Sequence, residues 1–146
     1  MKKMIKSLTI ILISTLLLIS CSNNEEKLSK VNVKQLTRVD VQVVKPDESY
    51  DEAVMITDKD IVDLSRVIFE QIEWQQNVKT EMDRREDVKV TLFFSVDKHM
   101  TEKLVEYFIW FNDGNETATI IDRVENTYGT MDKENATKLK ELVLRK

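Results

Sequence analysis

Val88-Lys89-Val90-Thr91-Leu92-Phe93-Phe94-Ser95-Val96 places Val88, Val90, Leu92, Phe94 and Val96 at every second position, with Lys89, Thr91 and Ser95 between them. A period of two predicts a strand with one buried face. The aromatic run Leu104 to Phe111 follows as a second strand. Asn112-Asp113-Gly114-Asn115 then reads as a hairpin turn, since Asp-Gly supplies the positive φ that tight turns need. Thr117 to Val124 pairs back, Thr127 to Met131 adds a short strand, and Asp132 caps a helix with Ala136, Leu139, Leu142 and Val143 facing inward.

Upstream, Arg38 to Lys45 alternates Val39, Val41 and Val43 against Asp40 and Gln42 until Pro46 stops it. The acidic stretch Asp47 to Glu52 is a loop, and Ala53 to Ile56 is a short extended stretch. Thr57 is positioned to cap a helix reaching about Trp74, with Asp60 at its third residue and Ile61, Leu64, Ile68 and Ile72 on one face, Val67 beside them. The mixed-sign run Asp83, Arg84, Arg85, Glu86, Asp87 reads as a solvated loop. These elements predict an α+β fold: a two-layer sandwich, an antiparallel sheet of four to five strands with two helices on one face, in the order β-α-β-β-β-(β)-α. Its expected core is Val39, Val41, Ile61, Leu64, Ile68, Val90, Leu92, Ile109 and Leu139. The domain is expected to run from 38 to 146, with no metal, disulfide or other cofactor.

The N-terminus carries an address. Lys2, Lys3 and Lys6 precede an uncharged apolar run, Leu8 to Ile19, which is too short for the roughly 20 residues of a spanning helix. Residues 1–20 therefore read as a signal peptide. Leu18, Ile19, Ser20 and Cys21 resemble a bacterial lipobox. The resemblance implies cleavage between Ser20 and Cys21 and diacylglycerol on the Cys21 thiol. Residues 21–37 then form the lipidated cysteine and a polar tether, whose nine residues from Ser22 to Lys30 span about 15 to 20 Å as a coil. The partner so implied is the membrane, from its extracytoplasmic side. With this lipobox and element order the chain resembles the small lipoproteins of Gram-positive bacteria, in particular the YhfM-like type, a resemblance that brings no catalytic motif with it. The element order is also similar to a TATA-binding-protein repeat.

Charge excludes the nucleic-acid reading. With the leader's lysines set aside, 19 basic residues face 26 acidic ones, near −7, whereas a nucleic-acid surface is basic. Gly114 and Gly129 are the only glycines, so dinucleotide loops, P-loops and nucleophile elbows are excluded. His99 is the only histidine and Cys21 the only cysteine, which removes two-histidine and cysteine-rich zinc sites. Asp58, Asp60 and Asp63 lack the glycine and terminal glutamate of a calcium loop and suit a helix start instead.

Two functions remain. The main expectation is a non-enzymatic interaction module on the envelope, binding an envelope protein or a cell-wall component. The alternative is a small envelope hydrolase using His99 as base, with Ser95 or Ser65 and an acid such as Asp97. For the module, Phe93, Phe108 and Trp110, with Ile121 at the edge, form the candidate patch on the sheet face away from the helices. Either this patch is exposed and docks a partner, or the segment Val31 to Leu36 or the loop after Pro46 folds over it as a second small core.

Overall fold

The structure is a computed structural model in which residues 33–75, 78, 80–95 and 101–145 are described. A 3-10 turn (Val33–Gln35) leads into β1 (Leu36–Val43) and β2 (Val54–Ile56). Helix α1 (Lys59–Phe69) and β3 (Glu73–Gln75) follow. Then come β4 (Val88–Phe94), β5 (Lys103–Asn112), β6 (Thr117–Asp122), β7 (Thr127–Met131) and helix α2 (Lys133–Val143). The fold is α+β, but the antiparallel sheet has seven strands, in the order β2-β1-β4-β5-β6-β7-β3, rather than four or five. The two additions are three-residue edges, too short to show a period.

The register explains the core. Val39 pairs with Leu92 and Leu92 with Val105, while Val88 pairs with Ile109 and Ile109 with Ile120, so one face is continuous across four strands. These residues join Val62, Ile68 and Phe69 of α1 and Ala136, Leu139, Leu142 and Val143 of α2 in one buried cluster. Leu36 is fully buried at the start of β1, so packing begins two residues before the expected domain boundary.

Helix α1 departs from expectation in its cap, length and phase. Asp58, not Thr57, is the N-cap, and its carboxylate accepts from the amides of Asp60 and Ile61. The negative charge there also suits the positive end of the helix dipole. The helix stops at Phe69 so that Glu73 to Gln75 can pair with β7. Its buried side is Val62, Ser65, Ile68 and Phe69, which leaves Leu64 41% and Val67 58% exposed. Ser65 tolerates complete burial because its hydroxyl donates to the Ile61 carbonyl at 2.7 Å. The phase is set by Phe69, whose ring packs edge-on against Tyr107, with centroids 5.8 Å apart.

The hairpin between β5 and β6 is a four-residue connection, and Glu116 rather than Gly114 takes the positive φ, at 56°. Gly129 matters for a different reason. A Cβ there would collide with Ile72 and lie 2.9 Å from Cε3 of Trp74, so its missing side chain lets β3 lie against β7.

The second sheet face is covered in part. Strand β3 lies on one edge and β4 between β1 and β5, so the connecting segment must pass β7, β6 and β5. Its described part reaches the face away from the helices at Arg84, whose carbonyl accepts from the Trp110 indole at 2.9 Å. Trp110 is 4% exposed as a result. The expected open aromatic cluster is therefore corrected at its centre, and its cover is the 80–87 segment rather than the residues before Leu36 or after Pro46. Phe93, Phe108 and Ile121 remain half-buried. Arg38 lies 3.6 Å over the Phe93 ring and Arg123 lies 5.3 Å from that of Phe108, so cations shield what the segment does not reach.

Trp110→Ser is expected to cost about 3 kcal/mol or more, because it empties a buried aromatic volume and leaves the Arg84 carbonyl unpaired. Urea unfolding of both proteins measures it; a change below about 1 kcal/mol would contradict the burial described.

Candidate functional site

Two clusters of titratable side chains stand out among the described residues, at opposite ends of the sheet. The first lies beside the 84–87 segment. Glu86 is 7% exposed and accepts a hydrogen bond from the Tyr50 hydroxyl, with Arg85 Nε 3.6 Å away. Burial, followed by the Glu86 hydrogen bond, pushes the Tyr50 phenol up. Arg84 grips Asp87 through two bonds of 2.6 and 2.9 Å, and Asp87 in turn accepts from the Phe111 amide at 2.7 Å. This run was expected to be a solvated loop, and Asp83, Arg84 and Arg85 are exposed; Glu86 is the buried exception, and the Arg84–Asp87 pair forms a clasp that pins the segment to β5.

A cleft of about 530 Å³ opens beside the clasp, lined by Lys45, Glu48, Arg84, Glu86, Phe111 and Lys140 among others. Its charges are already matched. Arg84 is held by Asp87, Arg85 by Glu86, and Lys140 stands 3.9 Å from Asp113. Such a network ties chain segments together.

The second cluster lies on the helix face. Asp122 follows Ala118 and Ile120 at two-residue spacing, so the strand period that buries them also buries a carboxyl, at 6% exposure. One oxygen accepts from the amides of Val124 and Glu125 at 2.8 and 3.0 Å, which holds the β6–β7 turn. Burial outweighs these bonds and raises the carboxyl above its ordinary range; Glu125 raises it slightly further, and Lys103 opposes. The cross-strand partner of Asp122 is Tyr107. The Tyr107 ring sits between Phe69 and Trp74, whose centroids are 5.8 and 5.4 Å away. Burial first, and the Asp122 charge second, push its phenol far above the ordinary tyrosine value, so it stays a neutral donor. Among the described residues its hydroxyl has no hydrogen-bond partner. Asp122 and Tyr107 are thus cross-strand neighbours on one sheet face, a carboxyl of raised proton affinity beside a neutral phenol.

The residues singled out from sequence fall differently. Ser20, Cys21, Asp97 and His99 lie outside the described residues. Ser65 is unsuited to be a nucleophile, since it is fully buried with its hydroxyl committed to Ile61. Asp58 caps α1 and Asp63 pairs with Lys59 and Arg66, so two of the three clustered acids serve the helix. Asp122 went unnoticed in the sequence, although an acid two positions beyond Ile120 on an inward-facing strand was a readable signal.

No family model matches this chain, and no curated protein matches it. Among solved structures it is similar to the crystal structure of a thioesterase-like protein from Clostridium sporogenes ATCC 15579. That similarity has 18% sequence identity and a TM-score of 0.52, and covers 76% of this chain and 96% of the other. The likeness is one of fold. It corrects the main functional expectation, that of a non-enzymatic module: the architecture is one that a thioesterase-like protein shares, so the hydrolase alternative is the reading carried forward.

The raised carboxyl has a consequence for stability. Between the ordinary value of 3.8 and its higher native value, folded Asp122 keeps a proton that the unfolded chain has released, so its contribution to stability falls as pH rises through that window. Asp122→Asn keeps an oxygen for the Val124 and Glu125 amides and abolishes the titration. The melting temperature of the variant relative to the parent should therefore climb with pH across the window and then level; a flat difference would refute the burial argument.

Proposed function

We propose that this chain is a small acyl ester or thioester hydrolase, held on the extracytoplasmic face of the membrane by a lipid on Cys21. What carries the reading is the buried Asp122 carboxyl at the strand position opposite Tyr107, whose hydroxyl has no hydrogen-bond partner among the described residues, supported by the fold likeness to a thioesterase-like protein. Asp122 takes a proton from water as the water oxygen attacks the acyl carbon. The carbonyl oxygen, gaining charge, accepts from the Tyr107 hydroxyl. Collapse breaks the carbon–sulfur or carbon–oxygen bond, and the proton held by Asp122 passes to the leaving thiolate or alkoxide, giving acid and thiol or alcohol. His99, which lies outside the described residues, is the second candidate base of this reading.

The mature chain should release thiol from short S-acyl N-acetylcysteamine probes, read with a chromogenic thiol reagent. General acid–base groups contribute about 10²- to 10⁴-fold, so Asp122→Asn should lose at least 10²-fold while remaining folded. Equal rates for parent and variant would remove Asp122 from the mechanism, and no release across acyl chains of two to eight carbons would remove the hydrolase reading.

The anchor is tested separately. A metabolic fatty-acid probe should label the parent in cells and leave Cys21→Ser unlabelled, since the thioether has no other thiol to form on; labelling of both would overturn the lipid assignment.

A further inference from the structure

We propose that the outward face of α1, centred on Leu64 and Val67, rests against the lipid bilayer. The proposal builds on the Cys21 anchor and is independent of the hydrolase chemistry. Its first support is what the helix leaves uncovered. Leu64 and Val67 are one turn apart on α1, and both are substantially exposed, at 41% and 58%. Asp60 lies one turn before Leu64 and Gln71 one turn after Val67, so the apolar pair is bounded by polar residues. Of the charges around it, Asp58 caps the helix and Asp63 pairs with Lys59 and Arg66, while Asp60 and Glu70 lie exposed at its rim.

The second support is where the chain enters. The 3-10 turn at Val33–Gln35 packs against α1, and the Arg66 guanidinium donates to the Leu36 carbonyl. The helix therefore borders the point at which the tether joins the domain. Eleven residues, Ser22 to Asn32, separate that point from Cys21, and a tether of that length reaches on the order of 17 to 20 Å. A patch beside the entry point is held within that reach of the headgroups. Tethering makes the contact intramolecular, so two aliphatic side chains suffice where a free domain of net charge near −7 would not bind. The chemistry commits to shallow insertion into the acyl boundary rather than to attraction by anionic headgroups.

Acylation consumes Cys21, the only cysteine, so an introduced cysteine is the single reactive thiol. Val67→Cys and Gly114→Cys each receive an environment-sensitive fluorophore. Gly114 is a suitable control: a Cβ there meets nothing within 4 Å, its φ is not positive, and it lies in the hairpin at the far end of the sheet from Leu36. The lipidated protein is reconstituted in phosphatidylcholine vesicles containing a nitroxide-labelled lipid, with intact mass reporting the acyl chains. The probe at 67 should shift to the blue and lose more than half its emission, unchanged in 0.5 M salt, while that at 114 stays as in buffer. Equal quenching at both positions, or none at 67, would overturn the docking while leaving the anchor intact. A chain without acyl mass would overturn both.

Discussion

The connection between β3 and β4 is the constraint on which the rest of the molecule depends. Because β3 closes one edge of the sheet and β4 lies near its middle, the chain between them must cross three strands. Two helices occupy one face, and on the other the connection meets Trp110 at the Arg84 carbonyl. That single routing explains why Trp110 is buried although it lies outside the main core, why Arg84 and Asp87 form a two-bond clasp, and why Glu86 is held away from water by Tyr50 and Arg85. An acidic chain with two short helices thereby protects both sides of a seven-stranded sheet. Where the crossing does not reach, Arg38 and Arg123 lie on aromatic rings and keep them half-covered.

The two titratable clusters answer to different physics. In the clasp every cation has an acid within reach, so charge is neutralised locally and holds segments together. At Asp122 the carboxyl meets two backbone amides and an apolar surround, and burial prevails. The first arrangement stabilises ionised groups, whereas the second stores proton affinity. Only the second yields a group whose protonation can change during a reaction.

Sequence reasoning was sound wherever a pattern was local and long enough to repeat. The alternation in Val88 to Phe94 and Val39 to Val43 identified strands and their inward faces, and Asp132 was recognised as a cap because its carboxylate serves an amide only three residues away. It was less sound where several phases fit. Ile61, Leu64 and Ile68 make as good a stripe on paper as Val62, Ser65 and Phe69; the choice between them belonged to Tyr107, some forty residues along the chain.

The chain's local chemistry thus determined by itself the α+β class, the main strands, the starting region of each helix and, with two glycines in all, the lack of a glycine-rich loop. Those features are decided by neighbours within one or two turns, or by residues that are simply missing. Tertiary structure alone decided the two three-residue edge strands, the burial of Trp110 and Glu86, the phase of α1 and the pairing of Asp122 with Tyr107. Each of these depends on which distant strand or ring arrives alongside, and a side chain's solvation is a property of that arrival rather than of its own position in the sequence.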